Sequence, residues 1–263
     1  MDRLTSLPVG VLIVVSLVIT VSIAVGARLG VRGLVPADEY DRVQHIAAPL
    51  MPALGGLFGI LMALTLASEA GYLKAAQDEV SAEAAAASRL AWASTSPGVD
   101  TEAIQGAMDD YLAATRTSEW HGDAAAGGDP GVAVALASLE RVVRAQAAST
   151  EIGSPAGTEL LASLDALTTS RRERVAAASR QLPLLYVLTL VTSGVALIAN
   201  AGALGLRNRL RTSLLVLGLA TVVGLSIALL FALSAPWRGG LLVSGEPIDS
   251  VIRDLQSGFF SSS

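Results

Sequence analysis

The chain has 263 residues, of which 52% are hydrophobic, 4% aromatic and 16% charged, and its mean hydropathy is +0.57. Soluble domains carry about 25% charged residues, so this composition indicates a membrane protein with a water-exposed portion. The net charge of -5 argues against a nucleic-acid partner, and the lack of cysteine excludes disulfides, thiolate catalysis and cysteine-ligated metals.

Four apolar stretches are long enough to cross a bilayer as helices, which takes roughly 20 residues. They cover about 8–27, 46–67, 182–204 and 212–234. We therefore predict an all-α integral membrane protein with four transmembrane helices, a polar domain of roughly four helices inserted between spans two and three, and a short C-terminal amphipathic helix. The predicted divisions are 1–67 (spans one and two), 68–181 (water-exposed acidic helical domain), 182–234 (spans three and four) and 235–263 (C-terminal tail with a docking helix).

The second span carries small residues at every fourth position: Gly55, Gly59, Ala63 and Ala67. Small side chains at this spacing let helix backbones approach each other closely. The pattern fits packing inside the chain, a contact between subunits, or a helix face turned toward a pore.

Apolar residues at spacings of three and four predict amphipathic helices in the inserted region. Their apolar positions are Ile104, Met108, Tyr111, Leu112, Val132, Leu136, Leu139, Val143, Leu160, Leu164 and Leu167. Breaks are expected at 94–100, 121–131 and 152–157. We expect the first helix to continue from span two and the last to run from Pro155 to Pro183. The carboxylates of Asp109, Asp110 and Glu119 are typical of a solvated face.

Polar residues in the third span are the candidates for an intramembrane role: Thr189, Thr192, Ser193 and Asn200. Asn200 is the most costly, because its amide needs partners away from water, which it finds through interhelical hydrogen bonding or at a binding or conduction site. No span has a charged residue at its centre, which argues against a proton-coupled pump or a voltage sensor.

Enzymatic chemistry finds little support in the sequence. His45 and His121 each lack a second histidine or cysteine at ligand spacing, and the common nucleotide-binding and hydrolase motifs do not occur. We predict no catalytic residue, no cofactor and no metal site.

The C-terminal tail begins where Pro236 ends span four. Trp237 and Arg238 predict an interfacial anchor. A helix that opens at Glu246 then places four apolar residues on one face: Ile248, Val251, Ile252 and Leu255. Its polar face lacks the basic residues of a membrane-surface helix, so we expect the apolar face to dock on the helical domain.

Several of these features together resemble a known family. They are the arginine-bearing loop RLGVRGLVPADEYDRVQH, Glu83 and Ala84, Tyr111, Glu119 with Trp120, Arg171 with Arg174, and the closing PWRGGLLVSGEPIDSVIRDL. The chain resembles bacterial four-pass membrane proteins described as bestrophin-like. This resemblance implies a homo-oligomeric ion channel or passive transport protein in the cell (inner) membrane. The alternative is a non-conducting scaffold or accessory subunit that binds a membrane protein through the helical domain.

Arginine placement bears on orientation, because positively charged short loops stay in the cytoplasm. The short loops carry Arg28, Arg32, Arg42, Arg207, Arg209 and Arg211, which favours an external helical domain on the same side as both termini. The arginines just before span three favour a cytoplasmic domain instead. The family resemblance also favours a cytoplasmic domain.

Overall fold

A computed structural model describes residues 8–120, 123–180, 183–204, 211–234, 237 and 242–261. These residues form helices and turns without a strand, so the predicted all-helical class is confirmed for the part described. The helices are α1 (Val9–Leu34), α2 (Tyr40–Ala93), α3 (Thr101–Ser118), α4 (Asp123–Gly127), α5 (Pro130–Ala147), α6 (Ser154–Ala178), α7 (Leu184–Leu204), α8 (Arg211–Leu233) and α9 (Glu246–Gln256).

Four of these helices are long and apolar enough to cross a membrane, and they cover nearly all of the four stretches that were predicted as spans. They are α1, α2, α7 and α8, with mean hydropathies of 2.7, 2.0, 1.9 and 2.7 over their most apolar parts. Helix α2 is far longer than its apolar stretch and contains both Pro49 and Pro52. Hydropathy locates the part of a helix that lies in hydrocarbon, whereas the backbone hydrogen bonds continue into the polar flanks.

Packing within α3, α5 and α6 follows the predicted periodicity. All eleven apolar positions named above for this region are buried. Two of the three helices begin at an aspartate that accepts backbone N–H bonds: Asp100 from Ala103, and Asp129 from Gly131 and Val132. Pro130 follows Asp129 at the first helical position, where its missing N–H costs nothing.

The structure corrects two expectations about helix bounds. The glycine-rich stretch predicted as a break contains a short helix, α4, whose alanines favour a helical turn. Helix α6 was expected to run to Pro183, but it ends at Ala178 and Ser179 caps it. Arg180 is already non-helical, so α6 is not continuous with the third span, whereas α2 runs unbroken from the second span to Ala93.

The contacts divide the described chain into two compact units. The membrane unit comprises residues 8–71, 183–204 and 211–234, and its core centres on Phe58, Leu190, Ile198 and Val223. Gly194 leaves room for the Phe58 ring, since a Cβ there would lie 3.2 Å from that ring and 3.1 Å from Val223.

The helical unit comprises Tyr72–Arg180 together with residues 237 and 242–261. Its core combines the three predicted amphipathic helices with the end of α2 and part of the C-terminal region. Trp237, Val243, Ile248, Val251 and Phe260 are the buried residues that this C-terminal region contributes.

Candidate functional site

The small-residue face of the second span is mostly bare. Gly59, Ala63 and Ala67 are exposed, and apart from its chain neighbours and its own helix backbone no described atom lies within 4 Å of a Cβ built at Gly59. Gly55 is half-buried, with the side chain of Leu197 3.9 Å from its Cβ position. The neighbouring face of α2 does pack, because Phe58 and Met62 are buried in the core of the membrane unit. The small residues therefore form a helix surface that is largely open among the residues the structure describes.

Three of the polar residues of the third span form hydrogen bonds to backbone oxygens. Asn200 Nδ2 donates to the backbone oxygen of Ala47, 3.0 Å away on α2. Thr189 Oγ1 donates to the oxygen of Leu185, and the buried Ser193 Oγ donates to that of Leu190. Thr192 is exposed. Asn200 thus ties α7 to α2, while the hydroxyls of Thr189 and Ser193 are engaged with their own helix.

An apolar pocket of about 200 Å³ lies among α1, α7 and α8. Leu12, Ile198 and Phe231 are among its lining residues. Thr20 also lines it, but its hydroxyl donates to the backbone oxygens of Ser16 and Leu17. Its surface offers hydrocarbon to an occupant and no charge that would select an ion.

A buried ionic cluster lies inside the helical unit. Arg174 donates from Nε to Glu83 Oε2 and from Nη2 to Glu119 Oε2, 2.8 Å away. Arg171 donates from Nη2 to Glu119 Oε1, and Tyr111 donates its hydroxyl to Glu83 Oε1. The side chains of Glu83, Glu119 and Arg174 are fully buried, and that of Arg171 is 14% exposed. Two buried carboxylates are thereby matched by two guanidinium groups.

The electrostatics of this ionic cluster favour fixed protonation states. Burial opposes the positive charge of Arg174, but the carboxylates of Glu83 and Glu119 outweigh it and raise its pKa. Burial, followed by the negative charge of Glu83, raises the pKa of Tyr111 well above its usual value. The phenol therefore stays protonated and the guanidinium stays charged, which suits a structural network better than proton transfer.

The loop before α5 contributes a backbone hydrogen bond to Glu119. The N–H of Asp129 donates to Glu119 Oε1 at 2.7 Å. Gly128 has φ +73°, and a Cβ there would lie 3.5 Å from both Glu119 Oε1 and Arg171 Nη2. The expectation that Glu119 lies on a solvated face is wrong, because it caps the end of α3 and is covered by α6 and this loop.

Trp120 connects the ionic cluster to the C-terminal region. Its ring lies 5.8 Å from the Arg174 guanidinium carbon and 4.6 Å from that of Arg116. The buried ring of Trp237 meets it edge-on at 5.5 Å, and Trp120 Nε1 lies 3.4 Å from the backbone oxygen of Val243. Arg238, the other predicted anchor, lies outside the described residues, as does His121.

The apolar face of α9 points into the helical unit. Ile248 and Val251 are buried in its core, and Ile252 and Leu255 are partly buried against it. Asp249 adds a bidentate ion pair with Arg116, at 2.6 and 2.9 Å.

A side-chain amide holds the segment before α9. Gln77 donates from Nε2 to the backbone oxygen of Ser244 and accepts from its N–H, at 3.2 and 2.8 Å. This reciprocal pair of hydrogen bonds has the pattern of two paired β-strand residues, so Gln77 of α2 holds the segment that leads into α9.

Sequence reasoning identified the members of the ionic cluster separately and missed the cluster. Five residues of the cluster are among those that carry the family resemblance, but they lie far apart in the sequence. Glu83 is on α2, Tyr111 is on α3, Glu119 follows α3, and Arg171 and Arg174 are on α6. One signal in the sequence could have found the cluster. Several of the residues that carry the resemblance are charged and lie in a region whose amphipathic helices must pack together, so they are candidates for buried ion pairs.

Comparison with known proteins gives one match. A family model described as Bestrophin-like domain matches residues 18–248 of the chain. No curated protein and no solved structure matches it. The matched residues contain the whole ionic cluster and the small-residue face of α2.

Proposed function

Because the chain belongs to the bestrophin-like family, we propose that it forms a homo-oligomeric ion channel or passive transport protein of the cell membrane. The family indicates a channel-type function in a membrane-embedded assembly. Four apolar helices supply the membrane part. The lack of charge at the span centres favours passive movement over a proton-coupled cycle.

The observation that carries this proposal is the open small-residue face of α2. Only 11% of the apolar stretch of α2 is buried, against 22%, 39% and 33% in α1, α7 and α8. Glycine and alanine in a row suit either close approach of another helix or space beside a pore. Further copies of the chain would use this face, with α2 nearest the oligomer axis.

Liposome flux tests this proposal directly. Gly59→Leu should reduce ion flux at least tenfold, because it places a branched side chain on the open face. Leu57→Phe is the matched control: it adds volume two residues away, which is on the opposite side of the helix, at an already exposed position. An intact oligomer of the native chain that passes no ion under voltage, calcium, pH change or tension would refute the channel.

One further surface supports the alternative function, a scaffold or accessory subunit. Trp92 and Phe259 are 50% and 60% exposed, and their rings meet edge-on at 5.7 Å. Exposed neighbouring aromatics are typical of protein-binding hot spots. Under this alternative, one membrane protein would co-purify stoichiometrically with the native chain and be lost from a Trp92→Ser, Phe259→Ser double variant. Retention of that partner by the double variant would contradict it.

Orientation is part of the proposal, with the helical unit and both termini outside the cell as the arginine-rich short loops favour. The native chain has no cysteine, so Ser138→Cys on α5 and Asp38→Cys in the loop between α1 and α2 create unique exposed thiols. An impermeant thiol reagent applied to intact cells should label the first variant and spare the second. The reverse pattern would place the helical unit in the cytoplasm.

A further inference from the structure

A second pocket, of about 510 Å³, lies within the helical unit. One wall is the C-terminal half of α6, where Arg172, Val175, Ala176 and Ser179 fall on one helix face. The facing wall is the chain from Ala126 to Pro130, which joins α4 to α5, with the first turn of α5 beside it. The pocket therefore has an apolar floor with basic groups at one end.

Two guanidinium groups line that end. Arg171 uses Nη2 to bind Glu119, while its Nε is buried and has no hydrogen-bond partner among the described residues. Arg172 is exposed and forms no ion pair within the described part of the chain. Both arginines thus keep donors that the described residues do not use: those of Arg172 are exposed, whereas Nε of Arg171 is buried.

The acidic groups nearby are already engaged. The Asp129 carboxylate accepts the N–H groups of Gly131 and Val132, at 2.7 and 3.3 Å, and so caps α5. Glu119 accepts from Arg171, Arg174 and the Asp129 N–H. Both carboxylates keep their negative charge, but among the residues that line the pocket Arg171 and Arg172 outnumber Asp129 by one, so the lining carries a net positive charge.

We propose that this pocket binds a phosphate group through Arg171 and Arg172. A planar guanidinium matches two phosphate oxygens at once, and this geometry is the reason that arginine predominates in phosphate recognition. The apolar floor made by Val175 and Ala176 accommodates the organic part of a phosphate ester. Ser179 stands close in sequence to Leu184, where the third span begins, so a lipid headgroup and a soluble phosphate are both sources of this chemistry. The site does not depend on whether the protein conducts ions.

The test uses the full chain in nanodiscs and two probes. Inorganic phosphate is titrated against protein in phosphatidylcholine nanodiscs at constant ionic strength, with binding followed by calorimetry. In the second arm, nanodiscs that contain phosphatidic acid are used, and retained lipid is counted by native mass spectrometry. Binding in the first arm identifies a soluble phosphate, and retention in the second arm alone identifies a lipid headgroup.

Variants on the two walls locate the site. Arg172→Gln should weaken phosphate binding about tenfold, the effect of losing one charge-assisted hydrogen bond. Ala133→Glu, an exposed residue on the facing wall, should abolish binding by supplying a competing carboxylate. Arg141→Gln removes an exposed arginine of α5 that does not line the pocket and should change nothing. The proposal is overturned if neither probe binds, or if all three variants bind like the native chain.

Discussion

Single residues decide the stability of the helical unit at its ionic cluster. Glu119→Gln would keep the shape of the side chain but leave Arg171 and Arg174 short of one negative charge in a buried place. Removing one partner from a buried ion pair costs about 3–5 kcal/mol, because the remaining charge is uncompensated. We expect a lower midpoint of thermal unfolding, followed by intrinsic tryptophan fluorescence.

The exposed pair between Arg89 and Glu159 provides the matched control. Both side chains are about half exposed, and pairs in water contribute little. Glu159→Gln should therefore leave the unfolding midpoint unchanged. If Glu119→Gln also leaves the unfolding midpoint unchanged, the buried cluster does not stabilise the fold.

Tyr111 makes the stability of this unit depend on alkaline pH. Its pKa is raised in the folded protein, whereas the unfolded chain releases the phenolic proton near pH 10. Stability contributed by the protonated phenol is thus complete below pH 10 and declines as the pH rises toward the folded pKa. Tyr111→Phe should unfold at a lower temperature at about pH 8, because Glu83 loses a donor, and this deficit should shrink at about pH 11.

A second tyrosine separates this effect from general alkaline denaturation. Tyr186 is 59% exposed, and Tyr186→Phe should follow the native protein at every pH. If the deficit of Tyr111→Phe is the same at both pH values, the phenol of Tyr111 does not govern the alkaline response.

Local patterns predicted the core residues and could not predict the ionic cluster. Leu139 and Leu164 were recognisable because a helix repeats every 3.6 residues and burial follows that repeat. Glu119 and Arg174 are 55 positions apart, so their contact depends on how α3 and α6 pack, which no local spacing records. The same limit explains the error about Glu119, since a carboxylate at a helix end is usually solvated.

At the scale of single helices, α9 is held in the helical unit by apolar residues that differ in how deeply they are buried. Val251 is buried and Ile252 is half-buried. Val251→Asp should place an unpaired carboxylate in the core, which favours release of the helix. Amide hydrogen exchange within α9 should accelerate at least tenfold in Val251→Asp, and less in Ile252→Asp.

The opposite face of α9 offers the control. Arg253 is 59% exposed and pairs with the equally exposed Glu246. Arg253→Gln should preserve the protection of α9. If Val251→Asp also preserves it, the helix is held by Asp249 and the segment before it, and the apolar face is dispensable.

Hydropathy predicts the apolar part of a membrane helix but not where the helix begins and ends. The apolar stretch of α2 was found at 46–67, but the helix extends to Ala93 because its alanine-rich continuation has high helix propensity. At the end of α6, helix propensity gave the wrong bound. The stretch RRERVAAASRQ favours a helix, yet the chain leaves helical geometry after Ala178. At this end, the hydroxyl of Ser179 donates to the backbone oxygen of Ala176, 2.7 Å away.

For the whole molecule, the two units differ in what they leave unpaired. The helical unit pairs the buried charges of its ionic cluster, whereas most of the small-residue face of α2 has no partner among the described residues. Such a face exposed to lipid gains nothing from its glycines, because close approach of another backbone is what small residues permit. The unmet packing of α2 is therefore the strongest physical reason to expect an assembly.

Single cysteines on α2 test that assembly without assuming conduction. In Gly59→Cys and Ala63→Cys, two thiols from neighbouring copies should form a disulfide on mild oxidation if their Cα atoms approach within about 7 Å. If instead the face borders water at a wider axis, a charged impermeant thiol reagent should modify both variants. Leu57→Cys, an exposed position on the opposite side of the helix, should do neither, because the proposed assembly turns this side toward hydrocarbon. If none of the three thiols reacts in either assay, this face of α2 meets only lipid.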